Sequence, residues 1–212
     1  MPINRHPCRL SSNGIVRRKQ NYPILASLPI HIQPARSMRP PAALMVAAAI
    51  LLMLAGVDAT VETTCKAAAD EDVHVNYVFC VSELSKHYQS SDADTWGLAK
   101  IAANMGVNNA YGAIHDIERL LAKPGMDAKT KVTLGQCQGL YDNMKFTFAG
   151  AYDEINGRNY AAGKEEAAKA VSLAHQCDDA FVKVAVPSPL KQRSLYSVQT
   201  AIVCTAITNL IR

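Results

Sequence analysis

The sequence predicts an all-α protein: an up-down-up-down four-helix bundle preceded by a disulfide-closed N-terminal helical hairpin. Three observations carry this expectation. Beyond residue 60, apolar residues recur at steps of three and four and nowhere alternate as they would in a strand. The breakers between the long periodic stretches, "KPGMD", "NGR" and "VPSP", are short, and such connections force neighbouring helices to run antiparallel. Four cysteines are spaced so that bridges would join adjacent helices.

The first segment, residues 1–37, holds six Lys/Arg, five prolines and no Asp or Glu. Such a composition cannot bury a core and reads as a disordered basic extension, either upstream of a true start at Met38 or an organelle transit segment. Residues 42–56 are uninterruptedly apolar. As a helix they rise about 22 Å, short of the roughly 30 Å bilayer core. Arg39 precedes the run, and Val57 and Ala59 supply small residues, so 38–59 reads as a signal peptide cut after Ala59. The expected product, 60–212, keeps no membrane span and enters the secretory route, an oxidising compartment. The cut also reverses the electrostatics. The whole chain is +4, but residues 60–212 hold 15 Lys/Arg against 17 Asp/Glu, a net of −2, which argues against nucleic acid as a partner.

Residues 60–92 form the expected hairpin, with Cys65 and Cys80 flanking the "DED" of Asp70 to Asp72. The bundle, 93–212, starts with a helix over about 95–122, whose stripe is Ala103, Val107, Ala110, Ile114, Ile117 and Leu121. A second helix, about 128–156, places Leu134, Cys137, Tyr141, Met144, Phe148, Ala151 and Ile155 on one face. The third, about 160–184, carries Ala167, Ala170, Ala174, Cys177, Phe181 and Val184. The fourth, 190–211, is apolar nearly all round after Tyr196 and is expected to be the most buried. Cys137 and Cys177 each lie 20 residues from Gly157, so a fold-back there sets them level. Of the three possible pairings of four cysteines, spacing favours Cys65 with Cys80 and Cys137 with Cys177. Cys204 is left as a buried free thiol, with intermolecular pairing as the alternative.

No constellation of catalytic groups emerges. The chain lacks G-x-S-x-G, P-loop, H-E-x-x-H and G-x-G-x-x-G patterns, and no N-x-S/T triplet occurs. His115 and Asp116 are adjacent, so on a helix they point about 100° apart and read as a solvated face. "HQC" at 175–177 would be a metal pair only with a free thiol. Trp96 reads as packing. No catalytic residue, cofactor or metal is expected.

Several segments carry a resemblance: "VETTC" at 61–65, "VNYVFCVSEL" at 75–84, "LGQCQGLYDNMK" at 134–145, "NYAAGKEEAAKAVSLAHQCDDAF" at 159–181 and "SPLKQRSLYSVQTAIVCTAITNLI" at 188–211. With four cysteines at these relative places, the chain resembles the plant invertase/pectin methylesterase inhibitor family, and within it the invertase-inhibitor subgroup that includes a plane-tree pollen allergen. The resemblance implies the same hairpin, bundle and bridges, no catalysis, and a one-to-one complex with a pectin methylesterase or an acid invertase whose substrate cleft is blocked. It also implies a contact element. Invertase inhibitors place Pro-Lys-Phe, after Gly-Asp, in the turn between the second and third bundle helices. Here the turn reads Gly157, Arg158, Asn159, Tyr160: Tyr160 stands for the aromatic, Arg158 for the cation, and the proline is missing. Locally, Arg158 also reads as a solvated turn residue and Tyr160 as a core residue opening the third helix. Pectin methylesterase inhibitors instead cover the cleft with helix faces. The alternative function on this scaffold is a non-inhibitory, pollen-allergen-like binding protein. His74, His87, His115 and His175 would gain charge near cell-wall pH and tune affinity if exposed.

Overall fold

The computed structural model describes residues 59–211. The expected basic extension, and the signal peptide apart from Ala59, lie outside the described residues. Six α-helices follow one another: α1 (Val61–Glu71), α2 (Tyr77–Leu84), α3 (Thr95–Leu121), α4 (Ala128–Asn156), α5 (Tyr160–Lys183) and α6 (Lys191–Asn209), with a 3₁₀ turn at Ser90–Asp92. Among the described residues there is no strand. The all-helical architecture expected from periodicity is the one found, with bundle boundaries matching to within two residues.

Helix starts follow from local chemistry. Thr60 opens α1 through a reciprocal capping box with Thr63. The side chains of Asn76, Asp94 and Asp127 accept from the backbone N–H groups of Phe79, Gly97 and Thr130, satisfying donors that a helix N-terminus leaves orphaned. Each of α3 to α6 packs on two neighbours in the ring α3–α4–α5–α6–α3, which closes the bundle. The hairpin α1–α2 rests mainly on α6. Tyr196 donates to Glu83 Oε2 at 3.0 Å, Phe79 meets the Tyr196 ring edge-on, and the Asn76 N–H donates to Gln199.

The α4 stripe from Leu134 to Ile155 is buried in full. On α3 the buried face differs from the expected one. Val107, Ile114 and Leu121 are only half-buried, whereas Leu98, Ala99, Ala102, Gly106 and Ala113 are buried. The reason is volume. α3 lies against both α4 and α6, and its smallest residues take the closest approach: a Cβ on Gly106 would fall inside the Phe148 ring. On α5 the C-terminal Val184 is likewise half-buried. The buried side of α6 is more polar than expected, because Ser194, Ser197, Thr200 and Thr208 share it with Val203, Cys204 and Ile207.

Two disulfides tie the elements together. Cys65–Cys80 joins α1 to α2 with Cα atoms 5.8 Å apart, and Cys137–Cys177 joins α4 to α5 at 5.0 Å. Closing loops of 15 and 40 residues constrains the unfolded chain by about 3 and about 4 kcal/mol in the chain-entropy account. Cys204 is buried with its thiol toward the Ala99 carbonyl, and burial pushes that thiol up to about 12. A sulfur so placed cannot meet another chain without unfolding, which removes the intermolecular alternative.

Candidate functional site

The turn between α4 and α5 is built by its backbone. Asn159 N–H donates to Glu154 O at 2.8 Å and Arg158 N–H to Ile155 O at 3.1 Å, the paired bonds of a Schellman C-cap. In that motif the residue after the cap is left-handed and is usually glycine. Here it is Arg158, at φ 66°, while Gly157 keeps φ −75°. The reversal therefore occurs one residue later than the sequence indicates, and a side chain stands where glycine would be cheapest.

That side chain is held. Arg158 Nη1 donates to Tyr160 Oη at 3.0 Å, and its guanidinium carbon lies 4.2 Å from the centre of the Trp96 ring. Trp96 in turn donates its indole N–H to Ile155 O at 2.8 Å, and Lys100 Nζ sits over the same ring at 3.3 Å while reaching Asn156 Oδ1. Arg158 is thus neither a freely solvated turn residue nor a floating probe; Tyr160 is half-buried at the start of α5. Cations stacked on aromatic rings contribute about 0.5–1 kcal/mol at exposed sites and more when desolvated. Trp96, read from sequence as packing, also fixes the tip.

The tip continues into a face of α3 and α4. Lys145 lies 5.0 Å from the Tyr111 ring and 4.5 Å from the Phe146 ring, and pairs with Asp142, whose hydrogen bond pushes the ammonium pKa up. Tyr111 and Phe146 are more than half exposed, and Tyr152 is exposed nearer the tip. Three cations rest on aromatic rings along one side of the bundle: Arg158, Lys100 and Lys145. Arg, Tyr and Trp are the types enriched at interface hot spots, and rigid rings present contact area at little entropic cost. Only the tip was visible in the sequence reading. The signal for the rest was present, because Tyr111, Phe146 and Tyr152 are aromatics lying off the apolar stripes.

Other sequence candidates fall elsewhere. Asp116 is not simply solvated: it accepts from Arg193 Nε at 2.8 Å and from Arg119 at 2.6 Å, linking α3 to α6. Burial opposes its ionisation, but the hydrogen bonds from Arg193 and Arg119 prevail and hold its carboxyl below the usual range. His74, His115 and His175 are exposed, and His87 is half-buried beside the linker after α2. Among the described residues no group of His, Cys, Asp or Glu is placed to hold a metal ion, and no helix is long and apolar enough to cross a membrane.

Residues 59–207 match the profile of the plant invertase/pectin methylesterase inhibitor family. The chain belongs to that family. Its members are inhibitors of enzymes rather than enzymes. Pectinesterase inhibitor 8 of Oryza sativa subsp. japonica is 55% identical over 160 residues, covering 74% of this chain and 86% of that protein. Pectinesterase inhibitor 12 of the same plant is 43% identical over 158 residues, covering 74% and 76%. The bundle and hairpin of this inhibitor-family chain superpose on the crystal structure of a mutant pectin methylesterase inhibitor from Arabidopsis with a TM-score of 0.60 at 16% identity, over 73% of this chain and 99% of that one. At that identity the likeness is one of fold.

Proposed function

We propose that this family member is a proteinaceous inhibitor of a plant cell-wall pectin methylesterase, bound one to one, which occludes the substrate cleft with its α3–α4 face and the adjoining tip. The observation that carries the reading is the row of three ring-stacked cations, Lys145, Lys100 and Arg158, set among exposed Tyr111, Phe146 and Tyr152. An enzyme cleft that works with carboxylates is complementary to such a row: the cations supply charge and donors, and the rings supply apolar contact. The 55% identity to a rice pectinesterase inhibitor supports pectin methylesterase as the first target.

A specific observation keeps acid invertase as the second reading. Gly157, Arg158, Asn159 and Tyr160 project at the bundle end with Arg158 preset against Tyr160, so the tip alone could enter a narrow sugar site. Export fits either target, with cleavage after Ala59 releasing residues 60–212 to the apoplast or a vacuole. The test is an activity titration of each enzyme at mildly acidic pH. Stoichiometric loss of pectin methylesterase activity is expected; full activity of both enzymes at a large excess of this protein overturns the inhibitor reading.

A further inference from the structure

A cleft of about 740 Å³ lies between the linker following α2 and the outer surface of α3 and α4, within the size range of small-ligand sites. Its linker wall is fixed. Ser90, only 2% exposed, donates its hydroxyl to Leu84 O, and the His87 N–H bonds to the same carbonyl. This pinned wall nevertheless holds Tyr88 out in solvent, 83% exposed, with one side of its ring stacked on His87 at 4.9 Å. Tyr152 exposes a second ring from α4, and Trp96 borders the cleft from α3.

Between these rings stand polar groups with no task in the fold. The side chains of Gln89, Asp92 and Asn104 line the cleft and make no hydrogen bond to any described residue. The charge of the lining disfavours an anionic occupant, because one ammonium, Lys100, stands against two carboxylates, Asp92 and Asp94. Flat rings beside free carboxylate and amide groups match one ligand chemistry. The C–H face of a pyranose packs on the electron-rich face of an aromatic ring, and its vicinal hydroxyls pair with carboxylate and amide groups.

We propose that this cleft binds a neutral oligosaccharide, with Tyr88 and Tyr152 as platforms and Asp92, Asn104 and Gln89 as hydroxyl partners. The site borders the α3–α4 docking face and shares Tyr152 and Lys100 with it, but its ligand differs and the residues used to test it, Tyr88 and Asp92, lie outside that face. Trp96 is the only tryptophan in the chain, so its emission reports on the cleft directly. The purified protein is titrated with neutral tetrasaccharides of β-1,4-glucan, β-1,4-galactan and β-1,4-xylan, and with tetragalacturonate, following Trp96 emission and binding heat in parallel. At least one neutral tetrasaccharide is expected to saturate. Tyr88→Ala and Asp92→Asn should each weaken it tenfold or more without altering thermal stability or enzyme inhibition. No saturable signal by either method overturns the proposal, as does binding of tetragalacturonate alone or undiminished affinity in Tyr88→Ala.

Discussion

Arg158 occupies a backbone conformation that costs a residue with a side chain roughly 1 kcal/mol, and its guanidinium is thereby aimed at Trp96 and Tyr160. Ala185, at φ 55°, fills the equivalent left-handed position after α5, with Val186 N–H bonded to Phe181 O and Ala185 N–H to Val182 O. The two positions share a strain but not a set of contacts. Ala185→Gly is expected to stabilise by about 0.5–1 kcal/mol in denaturant melts and leave inhibition unchanged. Arg158→Gly relieves the same strain but loses the ring contact, so stability should move little while inhibition falls. Tyr141 offers a second residue-level test. Its hydroxyl is buried without a hydrogen-bond partner among the described residues, and burial together with the Asp178 charge pushes its pKa up. Tyr141→Phe should therefore leave the melting temperature unchanged or raise it, against a loss of about 3–5 kcal/mol for Tyr141→Ala.

At the scale of elements, α3 is held to α6 through one polar network. Arg193 bonds Asp116 and Asn109, Asn109 donates back to Arg193 O and Ser197, and Gly112 leaves the room the guanidinium needs. Asp116 has a folded pKa below its unfolded value, so its contribution is fully present above about pH 4 and is lost as pH falls through the lower folded value. Asp116→Asn should cost about 1–2 kcal/mol at pH 6, and in melts at successively lower pH the gap to the parent protein should narrow once the pH falls below the unfolded carboxyl value of about 4. The sequence announced the helices more clearly than their contacts. Apolar period and the capping residues Asn76, Asp94 and Asp127 are local signals, and they set the boundaries. Which residues of α3 face inward was decided by Phe148 on α4 pressing on Gly106, and the Asp116–Arg193 pair spans 77 residues. Neither is written in local spacing. The site divides in the same way: the Gly157–Tyr160 turn was legible, whereas Arg158 on Trp96 and Lys145 between Tyr111 and Phe146 needed distant parts of the chain brought side by side.

For the whole molecule, rigidity and display work together. Two bridges, capped helices and a closed ring of helix contacts hold the α3–α4 face in one shape, which spares a partner the cost of ordering it. Cys204 keeps out of this chemistry. With its thiol pushed up to about 12 and buried, a form beginning at Thr60 should show no thiol reactivity toward an aromatic disulfide until unfolded, and one thiol afterwards. The central claim concerns the ring-stacked cations, and the inhibition constant of a charge-reversed variant against pectin methylesterase tests it most directly. Lys145→Glu should weaken inhibition a hundredfold or more, while Lys129→Glu, a reversal near the opposite end of α4, should leave it within about twofold. Equal inhibition by both variants and the parent protein would contradict the account.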